Sequence, residues 1–170
     1  MIKKIFKTET AEIIKCFKNI KIKNNLFNEL CKIAELTIKN RGKIIFCGNG
    51  GSAADAQHLA AELVVKYQKK RRALPAIAIT TDTSILTSIG NDFSYDKIFS
   101  RQIEALGVKK DLIICLTTSG NSKNIINAVK SAKKMKINCY SIVGNKGGKL
   151  KKIQKDLIII PSKKTSVIQI

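Results

Sequence analysis

Five short stretches of this chain are mostly apolar: residues 43–47, 76–79, 112–116, 138–143 and 157–160. None keeps the strict in–out alternation of a half-exposed strand. They read as continuous runs, the pattern of parallel strands covered on both faces. Before and between them, apolar positions recur at three- and four-residue spacing, as in Leu26, Leu30, Ile33, Ala34 and Ile38, which predicts helices. Helical stretches fall near residues 8–19, 25–40, 53–68, 83–90, 96–106, 122–136 and 147–154. Strand–helix alternation of this kind builds a doubly wound α/β sheet with helices on both sides. Such sheets bind ligands outside the carboxyl ends of their strands.

The informative loops all follow predicted strands. After the first comes Gly48-Asn-Gly-Gly-Ser52, a glycine-rich turn opening a helix, which offers free backbone N–H groups and a positive helix end to an anion. After the second come Thr80-Thr-Asp-Thr-Ser84 and then Gly90-Asn-Asp92, and after the third comes Thr117-Thr-Ser-Gly-Asn-Ser122. The last is dense in hydroxyls and ends at a helix start, so it can surround a phosphate monoester with donors. One such loop by itself is an ordinary N-cap; two on one rim point to a sugar phosphate. A dinucleotide reading also fits Gly48, Gly50 and Ala53 as G-x-G-x-x-A, but the acidic residue it needs about 20 positions on is missing. Asp82 is the one candidate, and it lies too far along, in a threonine-rich loop.

His58 and Glu62 stand four residues apart on the helix after the glycine turn, hence on one face. Pairs of this kind are commonly weak surface ion pairs. Here the neighbours Ala53, Ala54, Ala56, Ala60 and Ala61 are small, so the helix can pack closely while presenting two large polar groups. His58 is the only histidine in the chain. The pair can supply a general base, Glu62, and an orienting donor or metal ligand, His58.

Composition bounds these readings. A chain of 170 residues with 44% apolar content makes one domain with a substantial core. No run of 18 uncharged apolar residues occurs, and no signal-peptide core follows the charged start, so a soluble cytoplasmic protein without membrane contact is expected. The net charge of +20 invites a nucleic-acid partner. Against that, four of the 32 basic residues are arginine, the lysines are scattered, and aromatics are 5%; base readout and stacking favour arginine and aromatics. No nucleic acid is expected, while an anionic substrate would be drawn in. The five cysteines, Cys16, Cys31, Cys47, Cys115 and Cys139, are odd in number and lack C-x-x-C spacing, so neither a disulfide framework nor a thiolate metal site is expected.

Cys47-Gly-Asn-Gly-Gly-Ser-Ala-Ala-Asp-Ala-Gln-His58 with Glu62, Leu74-Pro-Ala-Ile-Ala-Ile-Thr-Thr-Asp-Thr-Ser84 and Ile89-Gly-Asn-Asp-Phe93 resemble the phosphoheptose isomerases. So do Phe99-Ser-Arg-Gln-Ile-Glu-Ala-Leu-Gly107, Thr117-Thr-Ser-Gly-Asn-Ser122 and Gly147-Gly-Lys-Leu150. This family belongs to the sugar-isomerase (SIS) domain superfamily. The likeness runs from about residue 43 to the last one and is tightest over 47–122. It implies a three-layer α/β/α sandwich, flavodoxin-like, with a mostly parallel five-stranded sheet and N-terminal helices. Residues 1–40 would form a helical segment that packs on the core and in oligomer contacts, and 41–170 the SIS domain.

The implied assembly is a homotetramer with active sites at subunit interfaces. The implied reaction converts D-sedoheptulose 7-phosphate to D-glycero-D-manno-heptose 7-phosphate, the first step of the ADP-heptose route to lipopolysaccharide core. On the matching positions, Asn49, Gly50, Gly51, Ser52, Asn91 and Asp92 would contact substrate. Thr117, Thr118, Ser119 and Ser122 would hold chiefly its phosphate. His58, Glu62 and Gln169 fall where zinc-carrying members hold the metal, with Glu62 and Gln169 also touching substrate. Glu62 would shuttle a proton between C1 and C2 through an enediol, with His58 beside it. Family members continue beyond the Ile168-Gln169 pair into a helix bearing a further histidine, whereas this sequence ends at Ile170. Either the sequence is a fragment of a longer product, or a shortened enzyme with a weakened zinc site and reduced turnover is the expectation. The alternatives are a non-catalytic SIS protein with a replication-initiator partner, a class that replaces the helix glutamate that Glu62 retains, and a SIS protein that binds a sugar phosphate without turnover.

Overall fold

A computed structural model describes residues 1–19 and 24–169. Two helices lead, α1 (Ile2–Asn19) and α2 (Asn24–Lys39), followed by β1 (Ile44–Gly48), α3 (Gly51–Val64), β2 (Ala76–Ala78) and α4 (Thr83–Asp92). A 3₁₀ turn at Tyr95–Lys97 enters α5 (Ile98–Leu106). Then come β3 (Leu112–Thr117), α6 (Lys123–Lys134), β4 (Asn138–Gly144), a 3₁₀ turn at Gly148–Lys152, β5 (Leu157–Ile160) and α7 (Thr165–Ile168). The strands form one sheet in the order β2-β1-β3-β4-β5, and every pairing is parallel. The expected "mostly parallel" sheet is thus wholly parallel.

Successive strand residues point to opposite faces, and each face has its own core. On one, Ile45, Cys47, Ile113, Cys115 and Val143 meet Ile89 of α4, Phe99 and Ile103 of α5, and Ile125 and Val129 of α6. On the other, Ile44, Phe46, Leu112, Ile114 and Tyr140 meet Leu30 of α2 and Ala56 and Ala60 of α3. This two-sided burial is why the strand sequences run apolar without alternation. The small side chains Ala56 and Ala60 let α3 lie close to the sheet, and α3 is the helix that carries His58 and Glu62.

The strand cysteines behave as apolar filler. All five are free thiols. Cys47, Cys115 and Cys139 lie side by side across three strands, with Sγ–Sγ separations of 3.5 and 4.0 Å. A hydrogen bond with the Cys115 thiol, together with burial, holds Cys47 and Cys139 well above the usual thiol range, so both stay neutral.

Several element bounds depart from the sequence expectation for identifiable reasons. The first helix begins at Ile2 rather than near residue 8. Gly48 completes β1 instead of starting the turn, and α3 opens two residues early, at Gly51. The stretch Gly90-Asn91-Asp92, expected in a loop, is the last turn of α4. The Asp82 carboxylate caps that helix, accepting from Ile85 N at 2.9 Å, and Ile89 anchors its far end in the core. The stretch near 147–154 forms only a 3₁₀ turn, because Gly147 and Gly148 both take positive φ, 87° and 53°. Residues 20–23 and Ile170 lie outside the described residues.

The chain runs from β1 outward to β2, then returns across β1 to β3. The reversal leaves a crevice at the carboxyl ends of β1 and β3, the place where doubly wound sheets bind ligands.

Candidate active site

The first wall of that crevice is the glycine turn. A Cβ on Gly48 would lie 2.3 Å from Ser52 O, so only glycine lets the helix start fold back on the strand end. Gly50 is the residue before the helix, at φ 55° and ψ −122°, a conformation closed to residues with a side chain. Its carbonyl accepts from Ala53 N at 2.9 Å and Ala54 N at 3.3 Å. The N–H groups ahead of those face outward without an intrahelical partner. A Cβ on Gly51 would lie 2.4 Å from Gln169 Nε2. Gln169 therefore packs on the turn itself, donating to the buried Ser52 Oγ at 3.3 Å.

The opposite wall is the hydroxyl loop after β3. The buried Thr117 Oγ1 accepts from Gly120 N at 3.3 Å, and Ser119 Oγ accepts from Asn121 N at 3.1 Å. Gly120 turns the chain at φ 65°. Ser122 stands in the N-cap position of α6, yet its side chain makes no capping bond. The ordinary N-cap reading of this loop therefore fails at Ser122, whose hydroxyl remains available together with the first N–H groups of α6. Thr118 is half-buried and Ser119 exposed on the same loop.

Asn49 joins the two walls. Its Nδ2 donates to Asn124 Oδ1 at 2.9 Å, and Asn124 Nδ2 donates back to Asn49 Oδ1 at 2.9 Å. Tyr95 Oη also donates to Asn49 Oδ1, at 3.2 Å. Sequence reasoning named Asn49 but missed Asn124 and Tyr95. Asn124 lies two residues past the loop motif, inside a predicted helix. Tyr95 follows a segment read as loop.

His58 and Glu62 share one face of α3, with Nε2 and Oε1 3.8 Å apart and side chains 71% and 31% exposed. At that separation they are neighbours rather than hydrogen-bonded partners. The Glu62 carboxylate makes no hydrogen bond among the described residues, while its main-chain carbonyl accepts from Arg71 Nη2 at 2.6 Å. Arg71 also donates to Leu63 O at 2.8 Å and so closes the end of α3. Asn91 and Asp92 are exposed and bonded to each other at 2.9 Å. Asp92 opens onto a cavity of about 500 Å³ between α4 and α5, lined also by Ser88, Ile89, Phe93 and Arg101. At the end of β2, Thr80 Oγ1 is buried without a partner among the described residues.

The expected metal residues are not gathered within one chain. Gln169 is fixed at Ser52, and His58 stands six positions further along α3, about 9 Å along the axis and on another face. Among the described residues, no group of three His, Cys, Asp or Glu side chains stands close enough to hold an ion. Asp82, the acidic residue considered for a dinucleotide ribose, is consumed as the cap of α4.

Comparison with known proteins agrees with the fold. Residues 6–144 match the family model described as SIS domain. The phosphoheptose isomerase of Aliarcobacter butzleri (strain RM4018) is 54% identical over 138 residues, covering 81% of this chain and 73% of that protein. The phosphoheptose isomerase of Sulfurimonas denitrificans (strain ATCC 33889 / DSM 1251) is 45% identical over 170 residues, covering 98% of this chain and 87% of that protein. Among solved structures, the phosphoheptose isomerase of Neisseria gonorrhoeae superposes with a TM-score of 0.91 at 39% identity, over 99% of this chain and 92% of that one.

Proposed function

This chain belongs to the SIS-domain family and, within it, to the phosphoheptose isomerases; from that premise we propose that it converts D-sedoheptulose 7-phosphate to D-glycero-D-manno-heptose 7-phosphate, opening the ADP-heptose route. It is a sugar-phosphate isomerase. The observation that carries the finer assignment is the pair of donor-lined walls joined by Asn49 and Asn124, with a free carboxylate on the helix leaving the first wall.

In this reading Thr117, Thr118, Ser119 and Ser122 hold the phosphate at the positive end of α6. Ser119 and Ser122 offer hydroxyls, and the helix offers N–H groups with no internal partner. Asn49, Gly50, Gly51 and Ser52 line the sugar chain, with Gln169 seated against them; Asn91 and Asp92 border it from α4. Glu62 takes a proton from C1 of the ketose, and the electrons form an enediolate across C1 and C2. The same carboxyl returns the proton to C2, while the hydroxyl proton passes from O1 to O2. Atoms and charge balance without an external reductant or oxidant. His58, beside Glu62, orients the carboxylate and the reacting oxygens.

The donor set of one chain does not fit a zinc ion, since Gln169 sits at the other end of α3 from Glu62. The proton transfer is assigned to the Glu62 carboxyl.

We also propose a homo-oligomer, a tetramer with its sites at subunit contacts. The support is the apolar surface of the two leading helices, where Phe6 is 71%, Phe17 60% and Leu36 54% exposed. Only Cys16 of α1 is buried.

The test is turnover of sedoheptulose 7-phosphate, followed as formation of the aldose phosphate. Glu62→Gln is expected to lower kcat by about 10²–10⁴-fold, the usual contribution of a positioned proton carrier, with substrate affinity within a few-fold of the parent. Unchanged kcat in that variant removes Glu62 from the chemistry. No aldose from the parent removes the assigned reaction.

A further inference from the structure

We infer that Asn124 and Tyr95 are positioning residues that hold the glycine turn and the hydroxyl loop at a fixed separation, so that one sugar phosphate can span both. The inference deepens the proposed function and rests on it for its substrate.

The two amides form a closed pair: each donates one N–H and accepts one, both at 2.9 Å. Each carbonyl oxygen takes a second donor. Asn124 Oδ1 accepts from Ile125 N at 2.9 Å, and Asn49 Oδ1 accepts from Tyr95 Oη at 3.2 Å. These bonds fix the amide orientations. Turning the Asn124 amide over would set its Nδ2 against the Ile125 N–H. Asn124 is only 3% exposed, so water cannot replace a lost partner there.

The pair joins segments far apart in sequence at the carboxyl ends of neighbouring strands. Asn49 follows β1 and begins the turn into α3, while Asn124 is the second residue of α6, past the hydroxyl loop. The two residues are 75 apart in sequence. Tyr95 adds the 3₁₀ turn after α4, which carries Asn91 and Asp92. A phosphate alone needs only the hydroxyl loop and the start of α6. A sugar phosphate needs its far end delivered to the glycine turn and to Glu62, so it depends on the distance between the walls. Buried amide pairs behave as units, because removing one partner strands the other.

The experiment uses the full chain and the variants Asn124→Ala, Tyr95→Phe and Asn49→Ala, with the Asn49→Ala/Asn124→Ala double variant. Inorganic phosphate and sedoheptulose 7-phosphate are the probes. Hydrogen exchange followed by mass spectrometry is expected to show at least tenfold faster exchange in peptides spanning 48–53 for Asn124→Ala. Peptides across β4 should be unchanged. Affinity for inorganic phosphate should stay within twofold, while KM for the sugar phosphate rises and kcat falls by at least tenfold. The double variant should be no worse than the poorer single one. Tyr95→Phe changes one hydroxyl on a side chain 61% exposed, folds as the parent does, and should show the same split at several-fold size. Parent-like exchange at 48–53 in Asn124→Ala overturns the inference, as does additive loss in the double variant. Should Asn124→Ala not fold, parent-like exchange and kinetics in Tyr95→Phe overturn it instead. Exchange and binding report even if the parent makes no aldose, a result that would strike the assigned reaction and leave the positioning role to stand or fall separately.

Discussion

Gly120 carries the turn of the hydroxyl loop at φ 65°, and a Cβ there would lie 2.3 Å from the main-chain oxygen of Gly147. Backbone cannot give way as a flexible side chain can. Gly120→Ala is expected to destabilise by at least about 2 kcal/mol, since both the left-handed φ and the close contact oppose it. For a chain of this size that lowers Tm by about 4–8 °C, readable by calorimetry. The glycines were legible as motif letters in the sequence, and so were the hydroxyl residues between them. The amide pair behind them was not. Asn124 looks like any polar residue in the first turn of a helix, and its partner lies 75 residues away; only the pairing of β1 with β3 brings them together. Conversely, His58, Glu62 and Gln169 read as one ligand set, yet one chain spreads them along α3 because Gln169 is captured by Ser52.

Among the elements, the opposite end of the sheet shows how β1 and β3 are held in step. Asp111, just before β3, is 1% exposed. Its carboxylate accepts from Lys43 N at 2.9 Å, Val108 N at 2.9 Å and Lys43 Nζ at 2.6 Å. One side chain thus fixes the start of both central strands and the turn leaving α5. Bonds to a charged acceptor contribute about 1.5–3 kcal/mol each when their loss leaves donors unpaired. Asp111→Ala is expected to lower unfolding free energy by about 3–5 kcal/mol, as breaking a buried ion pair does, with the m-value in urea unchanged. The central strands β1 and β3 were readable because burial on both faces leaves an unmistakable apolar run. The end of α4 was not. Gly90, Asn91 and Asp92 carry loop chemistry, and only the Asp82 cap and buried Ile89 draw them into the helix. Without charged or apolar periodicity to mark it, α7 left no signal at all.

For the whole molecule, the proposed assembly has a direct measurement. Light scattering on the eluting protein is expected to give four times the chain mass of 18.8 kDa. Phe6→Glu with Phe17→Glu should shift it toward the single chain, since each places a charge on surface that the assembly would dehydrate. An unchanged mass in that variant would remove α1 from the interface. Among the described residues no helix is long and apolar enough to cross a membrane.

The sheet order has a consequence for how the molecule comes into being. Cys47 at the end of β1 faces Cys115 at the end of β3, and the amide lock waits for residue 124. During synthesis, a ribosome-bound chain that has released only its first hundred residues holds β1 with one neighbour, β2, of three residues. Its inner flank stays unzipped until β3 emerges. A stalled or prematurely released product of that length exposes an apolar, half-paired strand to chaperones and proteases.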